Sequence, residues 1–157
     1  MDDAAKIIAD LSLIPHPEGG WYAETYRSTL TVRAHGVSRS ALTNVYFLLD
    51  GTTFSAYHRL DADETWHFYR GNEITVSIID ADGVLEERRL GPDGPWQTTV
   101  VAGSFFAASL TRQTGYGLVG CSVAPGFEFA GFELPKRDAL IAQFPQHERS
   151  IRRFTRV

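Results

Sequence analysis

The sequence predicts a mainly-β protein, a sandwich or barrel of antiparallel strands with helices packed outside it. Three observations carry that expectation. About ten short runs rich in β-branched and aromatic residues follow one another at near-regular spacing. Gly, Pro and Asp punctuate them, as turns require. Helical periodicity is confined to the two ends of the chain.

Taken in order, Ala4, Ile7, Ile8 and Leu11 share one helical face, and Asp2 or Asp3 stands where it can cap the first turn. Pro15-His16-Pro17-Glu18-Gly19-Gly20 then forces a turn. Strands are predicted over 21–27, 41–49, 53–59, 64–70, 74–79, 84–90, 97–101, 104–110, 116–123 and 127–133. Asp50-Gly51 and Asp82-Gly83 offer the positive φ that tight hairpins use, and Gly91-Pro92-Asp93-Gly94-Pro95 is a longer rigid loop. Pro135 opens a last helical segment, 138–144, with Leu140, Ile141 and Phe144 in register. No internal repeat, low-complexity tract or linker interrupts the chain, which reads as one domain over 1–157.

A chain of 157 residues, 43% hydrophobic and 12% aromatic, has ample material for one core. Its net charge of −4 is spread out and makes no case for nucleic acid. The basic cluster Arg149, Arg152, Arg153 and Arg156 reads first as a solvated helix face or tail, and second as a surface for an acidic partner. The lone Cys121 excludes an intrachain disulfide and reads as a small buried hydrophobe. With neither a signal peptide nor an apolar run of membrane length, the expectation is a cytoplasmic protein with no membrane partner.

The segment richest in chemistry is 51–71, GTTFSAYHRLDADETWHFYRG, where His58 stands six positions before Glu64. Gly, His, Glu and Gly in that order resemble the first motif of the cupin superfamily. In metal-binding cupins that motif carries a His-x-His pair ahead of the glutamate. Here the pair is His58-Arg59-Leu60. The second motif has a Pro-x-Gly turn and then a histidine; this chain has Val101-Ala102-Gly103, and the histidine position falls on Phe106. His16-Pro17-Glu18-Gly19-Gly20-Trp21-Tyr22, Glu24-Thr25-Tyr26-Arg27-Ser28, Asp63-Glu64-Thr65-Trp66-His67-Phe68-Tyr69 and Val123-Ala124-Pro125-Gly126-Phe127 are similar to an uncharacterised branch of that superfamily. The resemblance implies a cupin double-stranded β-helix, a jelly-roll barrel, and commonly a homodimer.

The four metal-ligand positions implied by the resemblance are then His58, Leu60, Glu64 and Phe106. Two of them retain a donor, and alternation along the strand turns His67 to the other face unless a bulge intervenes. No catalytic metal and no cofactor are therefore expected. Metal-free cupins of similar arrangement include sugar-nucleotide epimerases, in which a His–carboxylate dyad removes a proton and a tyrosine returns it. The expectation is a small-molecule site in the barrel, isomerase- or epimerase-like, with His58 as base, Glu64 orienting it in a neighbouring strand, and a pKa near neutrality. Tyr46, Tyr69 and Tyr116 are candidates for the acid, and the sequence does not choose among them. The working assignment places Tyr116 with His58 and Glu64 as catalytic, and Glu18, Tyr46, Trp66 and Phe106 as substrate-binding. Strand parity adds that Phe54 and Ala56 point inward with His58, and Ser55 and Tyr57 outward. Arg27, Arg39 and Arg59 either clamp an anion or pair with surface acids. Two alternatives remain open: a non-catalytic ligand-binding or sensing protein, and a metal enzyme completed by His67 or Glu18.

Overall fold

Alternating apolar residues produce two antiparallel sheets that face each other across one core. A computed structural model of the chain describes residues 3–157. The first helix, α1 (Asp3–Asp10), is followed by β1 (Ile14–Pro15), β2 (Trp21–Arg27), β3 (Thr31–Ala34), β4 (Val37–Ser40) and β5 (Thr43–Asp50). Then come β6 (Ser55–Leu60), β7 (Asp63–Gly71), β8 (Ile74–Ile79), β9 (Leu85–Leu90), β10 (Gln97–Val100), β11 (Phe105–Leu110) and β12 (Tyr116–Ala124). A short β13 (Phe132–Glu133), α2 (Arg137–Gln143) and α3 (Glu148–Arg153) complete the order. Asp2, one of the two expected caps, lies outside the described residues.

One sheet has the order β1-β2-β5-β12-β7-β10 and the other β13-β6-β11-β8-β9, a jelly roll. Between them lie Phe47, Leu49, Trp66, Val76, Phe106 and Val119, all buried. Outside the five-stranded sheet, Leu140, Phe144, Ile151 and Phe154 of the C-terminal segment pack on Tyr57 and Phe105. Outside the other, α1 brings Ala4, with Ile7 and Ile8 beside it, against Leu48, Tyr116 and Leu118.

Three departures from the sequence expectation have physical causes. The β3–β4 hairpin escaped the pattern because its turn is His35-Gly36, with φ of 50° and 79°, rather than Asn-Gly or Asp-Gly. The strand expected over 127–133 is mostly a 3-10 turn at Phe129–Gly131, since Phe127, Phe129 and Phe132 turn together around His16. A bulge in β6 opposite β11, between the pairs Phe106↔His58 and Ala108↔Ser55, shifts the alternation. Phe54 consequently packs outward on Phe154, and Ser55 turns toward Glu18. Gly83 adopts positive φ, as expected of its turn; Gly51 does not.

Candidate active site

His58 sits in β6 and Glu64 at the start of β7, but these strands belong to opposite sheets. The chain crosses between sheets at Asp61-Ala62, so the two side chains face each other across the barrel interior instead of along one hairpin. The partner that reaches His58 directly is Glu18. Its Oε2 lies 2.9 Å from His58 Nε2, and both side chains are buried.

The turn that carries Glu18 is folded into the barrel by its own composition. Gly19 (φ 108°) and Gly20 (φ 77°) take conformations that side chains resist, and His16 N bonds Gly20 O at 3.0 Å. Ala56 then holds both members of the pair. Its N–H donates to Glu18 O at 2.7 Å, and its carbonyl receives His58 Nδ1 at 2.7 Å. Behind His58, the Phe106 ring lies 4.0 Å away between centroids, so the residue at the absent ligand position fixes the imidazole plane.

These contacts assign the protonation. A carbonyl can only accept, so Nδ1 carries a proton; with the Glu18 carboxyl held below its usual range and therefore ionised, Nε2 donates to a carboxylate. His58 is therefore an imidazolium. Burial would lower its pKa, but the Glu18 carboxylate outweighs that, helped by Glu64 and the Ala56 carbonyl, and the net shift is upward. For Glu18, burial alone would raise the carboxyl; His58 and, less strongly, His16 reverse this and hold it below its usual range. His16 goes the other way. Burial lowers it, Glu18 offsets only part, and His58 lowers it further. Its Nδ1 accepts the Glu18 backbone N–H at 3.2 Å, while Tyr22, Phe47, Phe127, Phe129 and Phe132 surround the ring.

Glu64 differs from both. Burial, then repulsion from Glu18, push its carboxyl up to about 7, against smaller opposing effects of His58, Trp66 and Cys121. It has no ion-pair partner within contact distance among the described residues. Trp66 Nε1 approaches it without closing a hydrogen bond and is buried with no partner. The Cys121 thiol, also beside Glu64, is raised well above its usual value by burial and the two carboxylates, so it stays protonated.

These groups line a cavity of about 50 Å³ walled by Val45, Phe47, Leu60, Val123, Phe127 and Phe132. Tyr22, Val45 and Phe127 also face an outer groove, so they separate the cavity from solvent.

Of the residues expected at the site, His58, Glu64, Glu18 and Trp66 line this cavity. Phe106 backs it. Tyr116 does not reach it, being packed under α1. Tyr46 and Tyr69 lie edge to face on the outer side of the six-stranded sheet, because Val45 and Phe47 flank Tyr46 and point inward. His67 shares that outer side, 3.4 Å from Ser122 Oγ. The tyrosine at the cavity is Tyr22, which the sequence reading had only as part of a motif. The three arginines are all paired, Arg27 with Glu24 and Glu128, Arg39 with Asp61, and Arg59 with Glu133.

A family model described as cupin superfamily (DUF985) matches residues 5–135. The chain belongs to that family. Its fold agrees over nearly the whole length with protein SO0799 from Shewanella oneidensis, 37% identical, with a TM-score of 0.92 and 99% of each chain covered. A hypothetical protein from Leishmania major is 34% identical with a TM-score of 0.92, over 98% of this chain and 99% of its own. Oxalate decarboxylase from Bacillus subtilis shares the fold alone, at 17% identity and a TM-score of 0.58 over 94% of this chain and 38% of its own.

Metal binding is widespread in cupins, but the donors in this cupin do not fit a metal. Leu60 and Phe106 have no lone pair to give. Both nitrogens of His58 are spent on Ala56 and Glu18, and the bonded nitrogen of His16 accepts from backbone. Among the described residues no group of three or more His, Cys, Asp or Glu is placed to hold an ion. No described helix is long and apolar enough to cross a membrane.

Proposed function

We propose that this cupin binds a small carbonyl-containing, sugar-related metabolite in its barrel and moves a proton on it without a metal, as an isomerase or epimerase does. The observation that carries the reading is Glu64, a buried carboxyl that titrates near neutrality and lines the same cavity as a fixed imidazolium. A group with pKa near the working pH is suited to both taking and returning a proton. The role of base therefore passes from His58, which has no free lone pair, to Glu64.

In this scheme the Glu64 carboxylate removes a proton from the carbon next to a carbonyl. The C–H pair moves into the carbon–carbon bond and the carbonyl pair onto oxygen, giving an enolate. The His58 imidazolium, held by Glu18, opposes that negative charge in a low-dielectric cavity. The neighbouring hydroxyl then passes its proton to the enolate oxygen, and protonated Glu64 delivers the proton it took to the former carbonyl carbon. The carbonyl so moves by one position and Glu64 is again a carboxylate; return to the original carbon is exchange only. The cavity is smaller than the roughly 150 Å³ that holds benzene, so it takes the reacting head of the ligand, with the remainder passing Tyr22 and Phe127 into the outer groove.

A second reading is binding without turnover. Complete hydrogen bonding of the Glu18–His58 pair favours it, because a satisfied buried ion pair is also what a purely structural role requires. Solvent deuterium exchange into a panel of carbonyl compounds separates the two. Incorporation that disappears in Glu64→Gln supports the enzyme. Saturable binding of a co-purifying compound with no incorporation supports the binder.

A further inference from the structure

The basic residues at the C-terminal end of the sequence read as a solvated tail, but one of them, though exposed, is tied to the barrel. After α3, Arg156 turns back toward the barrel, and its guanidinium forks between two main-chain carbonyls. Nη1 donates to Glu18 O at 2.7 Å and Nη2 to Phe54 O at 2.9 Å, while the guanidinium carbon lies 4.1 Å above the Phe54 ring. Glu18 O also receives the Ala56 N–H. The carbonyl of the residue that pairs with His58 is thus held by two donors.

The approach is close. A Cβ built on Gly19 would lie 2.4 Å from Arg156 Nη2 and 2.0 Å from Phe54 O. The segment that delivers Arg156 is itself fastened. Tyr57 N donates to Phe154 O at 2.9 Å, and Arg137 Nε on α2 bonds Thr155 Oγ1 at 2.9 Å. Arg137, Phe154, Thr155 and Arg156 lie outside the span 5–135 matched by the family model, whereas Glu18, Gly19, Phe54, Ala56 and Tyr57 lie inside it.

We infer that Arg156 is a positioning residue of the site: by clamping the Glu18 and Phe54 carbonyls it holds the Glu18 turn inside the barrel mouth, in register for the bond to His58. A planar fork is what the task needs. Two carbonyls on neighbouring chain segments are bridged by one guanidinium, whereas an ammonium presents a single compact charge. Arg156 touches neither the cavity nor a ligand, so its effect passes through Glu18. The inference stands on the ion pair and its geometry, and does not depend on whether the site moves a proton.

The test uses the full chain with Arg156→Lys and Arg156→Gln, checked for fold by circular dichroism. Proton NMR of the imidazole N–H region reads the Glu18–His58 bond directly, with His58→Gln as the assignment control. The wild type is expected to show a low-field, slowly exchanging His58 N–H. In both variants that signal should broaden or move upfield, and the His58 titration midpoint should fall by about one unit as the carboxylate drifts away. Glu18, Glu64 and His16, the titratable groups facing His58, are unchanged in these variants. The sign is informative. If Arg156 acted only as a nearby positive charge, Arg156→Gln would raise the midpoint and Arg156→Lys would leave it in place, and the inference would be overturned. Folded variants that keep the signal unaltered overturn it as well. Should Arg156→Gln fail to fold, Arg156→Lys decides. No readout involves a substrate, so this result and the fate of the proton-transfer reading are separable.

Discussion

Glu18 Oε2 and His58 Nε2 lie 2.9 Å apart in the barrel interior, and Ala56 bonds the main chain of one and the side chain of the other. Removing one partner of a buried pair leaves the other charge uncompensated, which typically costs about 3–5 kcal/mol. Glu18→Gln should destabilise the fold by that order in chemical denaturation. It should also lower the His58 pKa, since burial is then unopposed by its principal attraction. The decrease should exceed that in Glu64→Gln, because Glu64 is the weaker influence on His58. Equal effects of the two substitutions would show that Glu18 is not the controlling partner.

Glu64 gives a stability dependence of definite sign. Its carboxyl is raised from 4.5 to about 7 in the fold. A group raised in this way stabilises fully below its unfolded pKa and loses that contribution as pH rises to the folded value. Wild-type stability from this group should fall between pH 4.5 and about 7 and then level off. The full change corresponds to roughly 3 kcal/mol. Glu64→Gln should lack this decline, as measured by urea midpoints across that range. Parallel curves for wild type and variant would contradict the placement of its pKa.

Gly19→Ala should damage the site more than its size suggests. The residue has φ of 108°, and an added Cβ meets Phe54 O and the Arg156 guanidinium. Backbone strain of this kind costs on the order of 1–3 kcal/mol before any clash is counted. Thermal melts should show the loss, and the His58 N–H signal should weaken with it. A variant as stable as wild type would mean that the turn can move away at little cost.

Dialysed protein should carry no stoichiometric zinc, manganese, iron or nickel by elemental analysis, and chelator treatment should leave its melting temperature unchanged. The donor set is the reason: both His58 nitrogens are bonded within the protein. One equivalent of metal with anomalous scattering beside His58 would refute this.

We further propose a homodimer. In β2, β1 pairs only with Trp21 and Tyr22, which leaves the strand from Ala23 to Arg27 uncovered on that side, with Tyr26 exposed. An open strand edge invites pairing with a second copy. Sedimentation equilibrium at micromolar concentration should give twice the 17.5 kDa chain mass, and a species of 17.5 kDa would end the proposal.

Much of the fold was legible because strand alternation is local. Residues 21–27 and 74–79 were delimited as strands to the residue, and most other boundaries fell within two positions. The site was legible only in part. His58, Glu64 and Trp66 announce themselves through a motif. That Glu18, and not Glu64, would reach His58 depends on how a Pro-Gly turn folds back across a barrel, which no periodicity encodes. The assignment of Tyr116 failed for a different reason. Parity shows which residues of a strand share a face, but the face taken by a terminal residue depends on where α1 docks. Arg156 was invisible because its partners are carbonyls, and every residue has one.

That last point bears on how such a site tolerates change over time. Three of the anchors that fix the Glu18–His58 pair, the Glu18 and Ala56 carbonyls and the Ala56 N–H, are common to nearly all amino acids. Side chains at positions 54 and 56 can drift without deleting a hydrogen bond, and a comparison of letters would record divergence where the geometry had stayed the same. Proline at position 56 is the exception, because it alone removes the donor. The framework of this site is written in the backbone, so its inheritance is better traced by superposition than by alignment.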